Sequence, residues 1–256
     1  MWGSRKVFDS DRWREEVSRA LADVRERIRA ACESVGRDPG DVVLVAVSKG
    51  VPADGIRAAY DSGVRDFGES RVQELLAKRA SLPADVRWHF VGKLQSNKIR
   101  KVAGFLTMLH SLETDSQISE LTRLSRADSE TDLAERLPLD CLVEVNIAEE
   151  PQKSGVLPSA LDEYLETVLN CRAVRFRGLM TIGPQVDHPE EMRSYFSKLR
   201  EIAERLGDRV GKSGGKSSEL GGKLCLSMGM SGDFDVAIQE GATHVRVGTA
   251  LFGGRR

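Results

Sequence analysis

Lys49 ends an apolar run, Val42 to Ser48, that stops at Gly50. A run of this kind suits a strand buried on both faces of a parallel sheet. A lysine at its carboxyl end sits where α/β folds gather their ligands. Desolvation there lowers the pKa of an amine, which leaves more of it neutral and able to attack a carbonyl. The competing reading is a lysine that leaves the sheet and extends to water. Two further segments carry chemistry of another kind. Leu226-Ser227-Met228-Gly229-Met230-Ser231-Gly232-Asp233 and Val245-Arg246-Val247-Gly248-Thr249-Ala250 each join a strand to a helix through small and hydroxyl-bearing residues. Small residues let backbone approach a ligand closely, and N–H groups at a helix start favour an anion. Side by side, the two loops form a phosphate cup; singly, each also fits a plain strand-to-helix turn.

A reactive amine, a phosphate cup and an arginine between them describe a site for pyridoxal 5′-phosphate. Lys49 is expected to form the Schiff base with the aldehyde. Ser231, Gly248 and Thr249 are expected to hold the phosphate. Arg246 is placed to face the pyridine nitrogen, where a cation disfavours pyridinium and weakens the ring as an electron sink. Ser70, Asn146, Ser227 and Met228 lie at strand ends or on the first of these loops, and are expected to contact the cofactor.

Strands must deliver these residues to one rim. Strand-like runs occur at 42–48, 66–68, 88–91, 108–112, 142–147, 177–182, 223–227 and 244–247. Helical patterns separate them at 53–62, 71–80, 96–103, 116–136, 159–170, 189–206 and 233–240. The alternation predicts a single (β/α)8 TIM-type barrel domain over residues 1–256. Ahead of it, Trp13, Val17, Leu21, Val24 and Ile28 follow helical spacing and predict an extra N-terminal helix at about 9–36. A doubly wound open sheet is the alternative, but the first turn, Ser48-Lys49-Gly50-Val51-Pro52, is no dinucleotide fingerprint. The Gly/Lys/Ser-rich stretch at 211–222 reads as a flexible surface loop. Its two Gly-Lys-Ser triplets are not a P-loop, because Leu206 and Val210 stand where that motif needs glycine.

Composition bounds the rest. The chain has 256 residues, 40% hydrophobic and 30% charged, with formal net charge −1, so no global field recruits nucleic acid or an acidic membrane. No run is long enough to span a bilayer, and the opening residues lack the apolar core of a signal peptide; a cytoplasmic location is expected. Cys32, Cys141, Cys171 and Cys225 are scattered and read as buried hydrophobes. His89, His110, His188 and His244 read as structural, and no metal site is expected.

Longer segments then point to a family. Ala46-Val47-Ser48-Lys49, Phe67-Gly68-Glu69, Val72-Gln73-Glu74, Trp88-His89-Phe90-Val91-Gly92 and Leu94-Gln95-Ser96-Asn97-Lys98 occur in the first half. Lys153-Ser154-Gly155, Arg177-Gly178-Leu179-Met180-Thr181-Ile182 and the two loops above follow. From Val42 to Gly253 the chain resembles the pyridoxal phosphate homeostasis protein family (the YggS/PROSC type). The resemblance implies the barrel domain of fold-type III pyridoxal phosphate enzymes, such as alanine racemase, without their second β domain. In those enzymes an arginine near the last strand meets the pyridine nitrogen, and a serine fifteen residues upstream completes the phosphate cup. Here 246 − 231 = 15, so the roles carry onto Arg246 and Ser231, with Gly248 and Thr249 beside them and Lys49 as the Schiff-base lysine. One departure stands out: Ser70 follows Phe-Gly-Glu where the family usually has asparagine.

Two functions from different classes remain. One is a binding protein that holds and delivers pyridoxal 5′-phosphate within the cell, with apoenzymes as recipients. The other is a racemase or related enzyme, which needs two bases on opposite faces of the α-carbon. Lys49 supplies one face, whereas Tyr60, Tyr164 and Tyr195 all fall in helical patterns and the chain ends straight after the final strand. Binding is therefore the expected function, by a monomer and without nucleic acid or membrane as partner.

Overall fold

A computed structural model describes residues 10–126, 137–212 and 223–254. Eight parallel strands pair in sequence order, and the last pairs with the first to close a barrel. They are β1 (Val43–Val47), β2 (Asp66–Glu69), β3 (Arg87–Phe90), β4 (Leu106–Leu112), β5 (Leu139–Glu144), β6 (Val174–Met180), β7 (Cys225–Met230) and β8 (His244–Val247). Each falls on an expected run. Both faces of such strands are covered, so apolar residues dominate them and the runs are legible.

The helices are α1 (Ser10–Glu33), α2 (Ala53–Asp61), α3 (Val72–Arg79), α4 (Ser96–Ile99), α5 (Asp115–Arg126), α6 (Leu161–Asn170), α7 (Arg193–Lys212), α8 (Phe234–Gln239) and α9 (Thr249–Phe252). The helix expected at 96–103 stops at Ile99 and continues as turns. α7 outruns its expected end at 206 and takes in the first two residues of the stretch at 211–222; the remainder lies outside the described residues. No helix among the described residues is long and apolar enough to cross a membrane.

α1 packs against α2, α8 and α9 and so covers the seam where β8 meets β1. Its stripe of Trp13, Val17, Leu21, Val24 and Ile28 is buried. Each fully buried aliphatic side chain there stabilises the fold by about 1.5–3 kcal/mol.

β7 carries the irregularity that shapes the site. Ser227 pairs with His244 and Met230 with Arg246, so three steps on β7 oppose two on β8. The extra residue makes a bulge, and Gly229 adopts φ 88° within it. A β-carbon on Gly229 would lie 2.5 Å from that of Ala237, which leaves glycine as the residue that fits.

Candidate functional site

A cavity of about 880 Å³ opens at the carboxyl ends of the strands, the end where barrels place their sites. Its wall includes Lys49, Ser70, Ser231, Arg246, Gly248 and Thr249. Six residues chosen from the sequence thus meet at one place.

Lys49 stands on the rim. β1 ends at Val47 and Ser48 is the last buried residue, so the lysine itself is exposed on the following turn. The desolvation expected of a strand-end amine does not reach it. Its neighbours are clamped instead. Ser48 Oγ donates to Glu69 Oε1 at 2.7 Å, and the Ser48 carbonyl accepts from Lys78 Nζ at 2.6 Å. The Gly50 N–H donates to Glu74 Oε2 at 2.9 Å and is the main reason that the Glu74 carboxyl sits below its usual range. Lys78 Nζ also reaches both carboxylates, at 2.5 and 3.2 Å. The backbone on either side of Lys49 is fixed while its amine makes no hydrogen bond or ion pair among the described residues.

Arg246 has the opposite environment. It is 5% exposed, and its Nη1 donates to Ser227 Oγ at 2.7 Å and its Nη2 to the Thr181 carbonyl at 2.8 Å. Burial pushes the guanidinium down to about 10, against the pull of Glu144 and Asp233. It remains cationic at neutral pH. Burial and then the nearby Glu113 push Glu144 up to about 7.

The two loops after β7 and β8 meet through Ser231, whose Oγ accepts from the N–H groups of Gly248 at 3.2 Å and Ala250 at 3.1 Å. The N–H groups of Gly232 and Thr249 make no intramolecular hydrogen bond among the described residues and border the cavity. A β-carbon on Gly232 would meet nothing within 4 Å. Hydroxyls and N–H donors therefore converge at one end of the cavity, as an anion requires. Val47, Val91, Ile182 and Met230 supply apolar wall. Gly92 approaches Ser70 so closely that a β-carbon there would lie 2.6 Å from that of Ser70.

Three expected residues lie away from the cavity wall. Asn146 turns both ends of its amide to the Glu150 backbone, at 2.8 and 3.2 Å. Ser227 is buried beneath Arg246 and supports it. Met228 packs in the apolar core with Phe234 and Val236, and past the bulge it is Met230 that reaches the wall. Trp13 and Ile182 also line the cavity and were missed. Trp13 reads from spacing as one more residue of a helix stripe, and Ile182 as the last residue of a strand.

Comparison with known proteins places this geometry. The family model described as "Alanine racemase, N-terminal domain" matches residues 20–256. A pyridoxal phosphate homeostasis protein of Aquifex aeolicus is 41% identical over 238 residues, which is 92% of this chain and 97% of that relative. One from Pseudomonas aeruginosa is 39% identical over 241 residues, 93% of this chain and 96% of the relative. The structure of PipY of Synechococcus elongatus PCC7942, with pyridoxal phosphate bound, superposes with a TM-score of 0.74 at 34% identity, covering 93% of this chain and all of that one. The chain belongs to the pyridoxal phosphate homeostasis protein family, built on the alanine racemase N-terminal domain.

Proposed function

We propose that this chain binds pyridoxal 5′-phosphate and holds it for delivery to apoenzymes, with little or no catalysis of its own. The observation that carries the reading is the convergence of Lys49, Arg246 and the Ser231–Gly248–Thr249 cup on one cavity. Bound there, the cofactor supplies an aldehyde that condenses with an amine and a conjugated ring that delocalises charge. Lys49 is the amine: its side chain is exposed on a turn with a clamped backbone and lines the cavity from the rim. Ser231, Thr249 and the Gly232 and Thr249 N–H groups take the phosphate. Arg246 would face the ring nitrogen and disfavour its protonation, and Ser70, just past the end of β2, would border the ring. Ser227 acts through Arg246, Asn146 holds the Glu150 turn, and Met228 packs in the core behind the site.

The groups that line the wall support holding over turnover. Lys49 and Arg246 are its ionisable groups; no carboxylate, imidazole, thiol or phenol among the described residues lines it. Racemisation needs a second base across from the first. Tyr60, Tyr164 and Tyr195 sit on α2, α6 and α7, outside the wall. A monomer in the cytoplasm is part of the same proposal. Borohydride reduction of the loaded protein followed by peptide mapping tests it. A pyridoxyl group on the Lys49 peptide is expected; a label chiefly on Lys93, Lys98 or Lys153 overturns the assignment. Exchange of the α-hydrogen of amino acids at about 1–10³ per second would make the chain an enzyme.

A further inference from the structure

The barrel interior beneath the cavity is polar along one line. Arg246 Nη1 meets Ser227 Oγ at 2.7 Å, and Ser227 Oγ meets His110 Nδ1 at 2.8 Å. His110 Nε2 meets His89 Nδ1 at 2.9 Å, and His89 Nε2 meets Asp66 Oδ1 at 3.0 Å. Asp66 lies at the start of β2, at the opposite end of the barrel, where Arg87 grips its carboxylate with two bonds, 2.8 Å from Nε and 2.5 Å from Nη2. The line crosses the barrel through β8, β7, β4, β3 and β2. His89, His110 and Ser227 are all buried.

We propose that Asp66, His89 and His110 are positioning residues for Arg246, joined to it through Ser227 by hydrogen bonds that all point the same way. The two ends fix the direction. A guanidinium has no lone pair, so Ser227 Oγ must accept from Arg246. Asp66 is held ionised, well below the usual carboxylate range despite its burial, by bonds to Arg87 and His89, so it too only accepts. Burial keeps His110 neutral, with one ring hydrogen. The arrangement that leaves no hydrogen unplaced has Ser227 O–H donating to His110 Nδ1, His110 Nε2–H to His89 Nδ1, and His89 Nε2–H to Asp66. The reverse order puts a second hydrogen on buried His89 and leaves the Ser227 hydroxyl hydrogen without an acceptor in the line. In the order drawn, the Ser227 hydroxyl is committed downward, and its lone pair always faces Arg246. The guanidinium is thereby held at the cavity by a chain anchored at the far end of the barrel.

The inference rests on the reading that Arg246 faces bound pyridoxal 5′-phosphate, and its test separates the two. Long-range ¹H–¹⁵N spectra of the full chain with labelled histidine report the tautomers without any ligand. Hydrogen on Nε2 alone is expected for both His89 and His110, and hydrogen on Nδ1 of either overturns the chain. His110→Phe is expected to weaken pyridoxal 5′-phosphate about tenfold, the loss of one well-made hydrogen bond. His110→Gln, which restores an acceptor and a donor, is expected to bind within about threefold of the parent. Equal affinity in the Phe variant and the parent overturns the positioning role. Should His110→Phe not fold, Ser227→Ala breaks the same line with a smaller change, and the same loss is expected; unchanged affinity there overturns the role equally. A parent protein that binds no pyridoxal 5′-phosphate defeats the functional reading, while the tautomers still decide whether the chain exists.

Discussion

Lys49 and Arg246 stand on the same cavity under opposite physical regimes. The lysine is exposed and unbonded on a turn whose backbone is clamped by Ser48, Glu69, Glu74 and Lys78. The arginine is buried, bonded twice, and backed by a polar line through the barrel. A group that must form and break a bond needs freedom at its tip and certainty at its base. A group that sets the charge around a ligand needs the reverse, because moving a buried guanidinium strands its partners without hydrogen bonds. Burial alone would have ranked Arg246 above Lys49. Under the proposed function, this division of labour lets both serve one site.

Removing the lysine is the sharpest way to break this contrast. Lys49→Ala is expected to abolish borohydride trapping entirely, while equilibrium dialysis still finds phosphate-dependent binding, since the cup and Arg246 are untouched. Loss of all binding would mean that the covalent bond, not the cup, holds the ligand. Next in size, Arg246→Leu removes two hydrogen bonds from a charged donor and is expected to lower unfolding free energy in urea by about 3 kcal/mol. Arg246→Lys is expected to recover little, as an ammonium cannot span Ser227 and Thr181 at once. Ser231→Ala is expected to weaken pyridoxal 5′-phosphate by about tenfold to a hundredfold in a fluorescence titration, one charge-assisted hydrogen bond. Pyridoxal without phosphate should bind as before. Equal losses for both would assign Ser231 to loop structure, through its bonds to Gly248 and Ala250.

The smallest effects lie under Arg246 and depend on pH. His244 is pushed down from 6.5 to about 3, chiefly by burial. A base depressed on folding contributes stability above its unfolded value that is lost as pH falls below it, here by about 1.4 kcal/mol per unit. Glu144, raised from 4.5 to about 7, works the other way: it favours the folded state at low pH and loses that contribution as pH rises through 7. His244→Gln should therefore flatten the loss of stability between pH 6.5 and 4.5, and Glu144→Gln should steepen it, each by about 1.4 kcal/mol per unit. Urea unfolding at three pH values checks both signs.

The barrel is legible because strands covered on both faces read as apolar runs, and Lys49 and Arg246 stand out because barrels gather ligands at strand ends, where both line the cavity. Residues inside the barrel are not. His110 and Ser227 touch across 117 positions of sequence, and His89 and Asp66 across 23, so no local spacing joins them. The histidines read singly as structural and Ser227 as a cofactor contact, and neither reading joins them. Met228 falls on the loop when the seventh strand is taken to end at Ser227, whereas β7 runs on to Met230 and it is Met230 that reaches the wall. The bulge at Gly229 adds a residue that a period of two does not anticipate. Asn146 carried a plausible amide at a strand end, and only the fold shows it spent on the Glu150 backbone.

Trp13 belongs at once to the first turns of α1 and to the wall of the cavity. Helix ends open and reclose more readily than barrel strands. Fraying of the start of α1 would take Trp13 out of the cavity wall. By linkage, a ligand that packs on Trp13 is expected to slow amide exchange along the start of α1.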